Sequence, residues 1–228
     1  MYVTWFHLES PPGTTSVPWL PAGASFAQSG QGAGPRAVFP TFDGTSWCVL
    51  AVFDTLDAAL AAQPGPDDTA GWWRVVLQPV SFHGDAVLSG GVQPFAAVPR
   101  RGKVEGAAVV ITMAGIGPDP ERTGEFLERF PVLGDDVTTA PGFRAALIQA
   151  PEDGAVLTFS AWRTLRDAVT WAYHRPLHAE TVQRHTDHPL LESSGFLRSA
   201  VLHSTGTLAG VDPLAGLTGT PVPSSKEN

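Results

Sequence analysis

The chain has one cysteine, Cys48, among its 228 residues. A lone thiol excludes an intramolecular disulfide framework and a cysteine-built zinc cage. Charge is also scarce, at 16% of residues against the roughly 25% of an average soluble chain. What charge there is leans acidic: 14 Lys and Arg against 22 Asp and Glu, a formal net charge of −8. That balance argues against nucleic acid as a partner, because such binding needs clustered cations to displace counterions from phosphate. The one basic cluster, Arg100, Arg101 and Lys103, is too short to reverse it. No uncharged apolar run approaches the ~18 residues that span a bilayer. The N-terminus lacks the positive n-region of a secretory signal. These absences set the expectation of a soluble, cytoplasmic protein without an integral membrane segment.

Several chemical signatures are missing too. There is no Gly-x-Ser-x-Gly elbow and no Walker A sequence. The run from Gly30 to Gly34 looks like a dinucleotide fingerprint, but it lacks the third glycine spacing and does not lead from a strand into a helix. Cys48 sits in an apolar run with no cation nearby, the setting of a buried, inert thiol.

What the chain does have is apolar bulk: 43% hydrophobic residues, with seven Trp and twelve Phe. That is enough to fill a substantial core. A polar joint at 98–104 separates two stretches of similar length. The expected organisation is an N-terminal half over 1–100, a C-terminal half over 104–212, and a disordered tail over 213–228.

The C-terminal half reads element by element. A β-branched run from Gly106 to Met113 predicts a strand. Asp119 before Pro120 predicts a helix start, with proline where its missing N–H costs nothing. Phe126, Leu127 and Phe130 share a face of that helix, and Pro131 should end it. Strands follow at Phe143–Gln149 and Ala155–Ser160. A helix from about Thr164 carries Leu165, Ala168, Val169 and Ala172 on one stripe. A last strand spans roughly Phe196–Thr207. The order β-α-β-β-α-β is ferredoxin-like. The N-terminal half is a fainter copy, with strands at Trp47–Phe53 and Trp72–Phe82 and a short helix over 54–61; its Pro/Gly-rich stretch from Ser10 to Gly34 reads as loop. The predicted fold is α+β: two fused ferredoxin-like halves with antiparallel sheets and helices packed outside. A barrel closed within one chain and a barrel closed by a homodimer both fit this pattern.

Five of seven histidines lie in the last 55 residues: His174, His178, His185, His188 and His203. If Leu177–His188 is helical, His178, His185 and His188 share a sector with Val182, opposite Glu180, Gln183, Arg184 and Asp187. Three uses of an inward histidine face stay open. The imidazoles can fill space while bonded to carbonyls. His185 and His188 could share a metal ion, although His178 and His185 lie ~10.5 Å apart along the axis, too far for one ion. A haem needs only one protein ligand and a large apolar chamber.

A wider pattern joins these elements: the strand Leu157–Arg163 containing Phe159, Ser160 and Trp162, the helix segment Ala168–Tyr173, the Pro176-adjacent His178, and Phe196 two residues before Arg198. With Trp47–Phe53 and Val76–Ser81 in the first half, this resembles the spheroidene monooxygenase family of carotenoid-modifying enzymes. The resemblance implies a haem-dependent oxygenase of the dimeric α+β-barrel group, which also contains tandem-domain haem enzymes such as chlorite dismutases and aldoxime dehydratases. By position it implies haem b with His178 as the axial iron ligand, His185 and His188 being second choices. Trp162 and Arg198 become pocket residues with cofactor-binding or catalytic roles. The acidic pair of the family falls at Ser193 and Ser194 here, and its Arg-rich helices are missing, which argues against a membrane-resident carotenoid substrate.

The expected function is therefore haem-dependent, monooxygenase-like oxidation of a small or medium apolar metabolite. Its rivals are redox-neutral chemistry of the aldoxime dehydratase type and non-catalytic carriage of haem or another hydrophobic ligand.

Overall fold

The strand Ser46–Phe53 has seven of its eight residues buried. A strand without a solvent face must be covered on both sides, and a closed barrel wrapped by helices does that. The computed structural model describes residues 1–10, 19–33, 45–65 and 68–217. It contains eight strands: β1 (Tyr2–Glu9), β2 (Phe26–Ala33), β3 (Ser46–Phe53), β4 (Gly71–Gly84), β5 (Ala108–Gly115), β6 (Phe143–Ala150), β7 (Val156–Trp162) and β8 (Ser193–Gly206). Among the described residues four α-helices accompany them: α1 (Leu56–Ala61), α2 (Pro120–Thr138), α3 (Leu165–His174) and α4 (Pro176–Asp187).

All strand pairs are antiparallel, and the barrel order is β1-β3-β2-β6-β7-β5-β8-β4. Within each half the order is that of a ferredoxin-like sheet: β4-β1-β3-β2, then β8-β5-β7-β6. The architecture is α+β, and the barrel closes within one chain, so no second copy is needed to complete it. None of the helices among the described residues is long and apolar enough to cross a membrane.

Closure sorts side chains by parity. Trp5, Leu50, Trp73, Leu77, Ile111 and Phe159 point into the lumen and fill it. Phe159 packs on Trp5 at 5.1 Å between ring centroids and edge-on against Trp73 at 5.7 Å. The opposite parity of the N-terminal half, with Phe6, Val49, Ala51 and Phe53, forms a second buried layer with Ala59 of α1. Thr55 caps α1 by accepting the Ala58 N–H.

The two halves meet at unequal seams. β4 and β8 pair along their length with two irregularities, between Val76 and Leu77 and between Pro79 and Ser81. β2 and β6 share only Gln31–Ala150, Gly32–Gln149 and Ala33–Ile148. The glycine run is the device that makes this short seam. A Cβ on Gly30 would lie 2.5 Å from the Ala150 carbonyl oxygen, and one on Gly32 would lie 2.9 Å from Cys48 Sγ. Buried Gln149 ties the seam by donating Nε2–H to the Gln28 and Cys48 carbonyls at 2.8 and 2.9 Å. Burial pushes the Cys48 thiol well above its ordinary range, in keeping with an inert core residue.

In the strands, α2 and the tail the structure differs from the sequence reading at four places. β1 went unread. β2 occupies part of the 10–34 stretch expected to be loop, because glycine is required there for close strand approach. Pro131 does not end α2, which runs on to Thr138. The missing donor is outweighed by burial beyond it, where Val137 and Ala140 dock against Trp162 and Ala168. The tail does not begin at 213, since Leu214 is fully buried in the barrel core; residues 218–228 lie outside those described.

Gly30→Val should destabilise the fold by about 2 kcal/mol or more through forced separation of the seam. A guanidinium titration of the variant checks this, and an unchanged midpoint would count against the seam. His7, 8% exposed with Nε2 2.7 Å from Ser46 Oγ, has its pKa pushed down to about 4 by burial. Above the unfolded value of 6.5 both states are neutral. Below it only the unfolded chain takes up the proton, so this residue withdraws about 3 kcal/mol of stability as pH falls from 6.5 through 4. Unfolding curves across that window should flatten in His7→Gln.

Candidate functional site

The outer face of the C-terminal sheet carries two adjacent rows of side chains. Register aligns Ser81, Arg198, Val110, Ser160 and Ala146 in one row, and His83, Phe196, Thr112, Thr158 and Ile148 in the next. Helices α2 and α3 lie over this face. At one end the layer is tight, where Val137, Ala140, Trp162 and Ala168 are buried together with Phe143, Leu165 and Trp171 packed on them. Away from that end it loosens. On the α2 stripe Phe126, Phe130, Leu133, Val137, only Val137 is buried. Val110, Thr112, Ile148, Thr158 and Ser160 on the sheet are half-buried. On the outer face of the N-terminal half, Phe6, Val49, Ala51 and Phe53 are buried by contrast.

α4 completes this layer. Pro176 opens it after α3 ends at His174, and none of its residues is buried. Its polar side faces α2: Arg184 binds Glu125 at 2.7 Å, and Arg129 of α2 reaches Thr181 at 3.3 Å. This reverses part of the predicted face. Arg184 turns to a neighbouring helix, while His188 and Val182 are exposed. The charged side of α4 wins the helix contact because α2 presents complementary charge there.

His178 and His185 remain half-buried, and their hydrogen bonds give them opposite chemistry. His178 Nδ1 lies 2.8 Å from the Ala172 carbonyl oxygen. A carbonyl only accepts, so Nδ1 carries the proton and Nε2 keeps its lone pair. Burial pushes the His178 pKa down, against the opposing pull of the Ala172 carbonyl and Asp136. The ring is thereby neutral at pH 7, with a ligand-ready Nε2 and the second-sphere carbonyl typical of metal-bound histidine. It packs against Trp171 at 4.2 Å between ring centroids. Trp171 in turn donates Nε1–H to Asp136 at 2.7 Å and packs on Trp162 at 5.7 Å. His185 Nδ1 instead accepts the Leu190 N–H at 3.0 Å. Its neutral ring therefore holds its proton on Nε2, leaving no free lone pair for an iron.

Trp162 is 1% exposed and edge-on to Phe143. It sits in the tight end of the layer, with a buried Nε1 that has no partner. Arg198 lies elsewhere, lining a cleft of about 390 Å³ with Ser81, His83, Arg100, Arg101, Tyr173 and Phe196. His178 does not line that cleft. Sequence reasoning missed its arginine pair, weighed only as a nucleic-acid footprint, and missed Trp171 and Asp136. A signal for the cleft existed: Ser81 and His83, like Phe196 and Arg198, alternate with period 2 on their strands. Among the described residues no group of three or more His, Cys, Asp and Glu could hold a metal ion.

The fold is thus a tandem ferredoxin-like barrel with a loose helical layer over its second half. No family model matches the sequence, and no curated protein matches it. Solved structures do superpose. An aldoxime dehydratase aligns with TM-score 0.57 and 11% identity, over 88% of this chain and 81% of that one. An aldoxime dehydratase in complex with butyraldoxime aligns with TM-score 0.52 and 9% identity, over 88% and 79%. An anthrone oxidase-like protein covers 90% and 93% at 14% identity, but its TM-score of 0.36 carries no argument. At these identities the likeness is one of fold.

Proposed function

We propose that the chain is a haem-binding enzyme acting on a small or medium apolar molecule, with haem b iron held by Nε2 of His178. The observation that carries this reading is the tautomer of His178, fixed by the Ala172 carbonyl with the ring packed on Trp171 at the edge of the helical layer. A neutral imidazole with one bare nitrogen is the donor that a b-type haem needs. We place the porphyrin against the half-buried apolar residues of the helical layer, because the lumen is filled by its own side chains.

When bound, haem would supply an iron centre able to activate oxygen or to accept a substrate heteroatom as ligand. The chain's own residues do the rest. The Ala172 carbonyl holds the Nδ1 proton and orients the ring. Trp171, anchored by Asp136, fixes the ring laterally. Phe126, Phe130 and Val110 exclude water from the interlayer. Trp162 braces the tight end, and Arg198 sets a positive charge beside the layer. The chemistry we propose first is monooxygenase-like oxidation. The redox-neutral alternative draws support from the aldoxime dehydratases among the fold neighbours, and turnover that continues without O₂ or peroxide would decide for it.

Protein expressed with a haem precursor should show a Soret band. His178→Ala should abolish or strongly shift that band, whereas His185→Ala and His188→Ala should leave it intact. No band, and no spectral change on adding hemin, would overturn the haem reading. Retention in His178→Ala with loss in His185→Ala would move the ligand.

A further inference from the structure

The cleft beside Arg198 concentrates positive charge in an acidic protein. Arg100, Arg101 and Arg198 all line it, together with His83, and no carboxylate does. Among the described residues none of these three guanidinium groups takes part in an ion pair. Gathering like charges without a counter-charge is unfavourable, and a bound anion relieves it.

The cleft is also built rather than incidental. A register shift between Pro79 and Ser81 lets β4 bulge at Val80, and bulges re-aim neighbouring side chains. The arginine segment is pinned there: Phe82 N–H donates to the Pro99 carbonyl at 2.9 Å. Gly102 is pressed so close that a Cβ would lie 2.4 Å from the Val80 carbonyl oxygen. Any other residue at 102 would push Arg100 and Arg101 away from Ser81 and His83. Facing them, Tyr173 and Phe196 are 54% and 41% exposed, unusual exposure for two aromatic rings in one cleft. The volume of about 390 Å³ is that of a small-molecule site.

We propose that this cleft binds a flat aromatic carboxylate, its anionic end paired with Arg198 and the Arg100–Arg101 segment and its ring against Phe196 and Tyr173. Arginine suits this task because its planar fork accepts a carboxylate bidentately and also stacks on aromatic faces. The site uses none of His178, Trp171 and Asp136, shares only Arg198 with the haem reading, and requires no haem.

The test is equilibrium dialysis of the haem-free chain with 2-naphthoate and with uncharged 2-naphthamide as probes. Naphthoate should bind about tenfold more tightly than the amide, with affinity falling as salt rises. Arg198→Gln and the surface double variant Arg100→Gln/Arg101→Gln should each remove most of that preference. Arg198→Lys should keep part of it, and Arg122→Gln on α2 should change nothing. Equal binding of acid and amide, or full naphthoate binding in the triple glutamine variant, would overturn the proposal. A second arm adds hemin. Simultaneous binding of naphthoate and hemin supports a separate carboxylate ligand, whereas stoichiometric displacement assigns the cleft to porphyrin propionates and overturns it. Failure of the haem reading, seen as no Soret response, leaves the dialysis result standing on its own.

Discussion

A barrel closed by eight strands has an inside and an outside, and in this chain the inside is spent. Trp5, Trp73 and Phe159 pack ring on ring in the lumen, and β4 and β8 pair along their length to close one seam. Any ligand of size must then sit on the outer face, under or beside the helices. On the N-terminal half Phe6, Phe53 and their described neighbours are already covered. The C-terminal half is where we propose it binds, because α2 is buried on the sheet only near its end and α4 has no buried residue. This asymmetry among the described residues is the reason we propose the second half as the functional one.

The tautomer that makes His178 our proposed ligand comes from the backbone beside it. α3 ends and α4 begins across Arg175 and Pro176, and the break brings the Ala172 carbonyl within 2.8 Å of the His178 Nδ1. A carbonyl freed at the end of one helix becomes the proton acceptor for a ring on the next. His185, two turns on, meets a backbone N–H instead and is set in the opposite tautomer. Identical side chains on one helix acquire different chemistry from the single backbone group each one meets.

Much of this was legible in the sequence where local chemistry decides. Asp119–Pro120 and Thr164 fixed two helix starts as capping residues, and Pro176 marked the break between α3 and α4. Apolar runs gave the strands of the second half, and with them the ferredoxin-like order. What was hidden depends on contacts distant in sequence. β2 is polar and glycine-rich, so its strand character exists only because β3 and β6 flank it. Pro131 is a helix breaker whose effect is overruled by packing of Val137. The face of α4 was misjudged because Arg184 finds Glu125, 59 residues away. The arginine cleft joins β4, β8, α3 and a loop, and no one-dimensional pattern spans those four.

The central claim is the protonation state of one ring, and nitrogen-15 NMR of the histidine side chains reads it directly. At pH 7 the haem-free chain should show His178 protonated on Nδ1 and bare on Nε2, and one equivalent of hemin should shift or broaden the Nε2 resonance. An imidazolium at His178, or a hemin response confined to His185 or His188, would contradict the account.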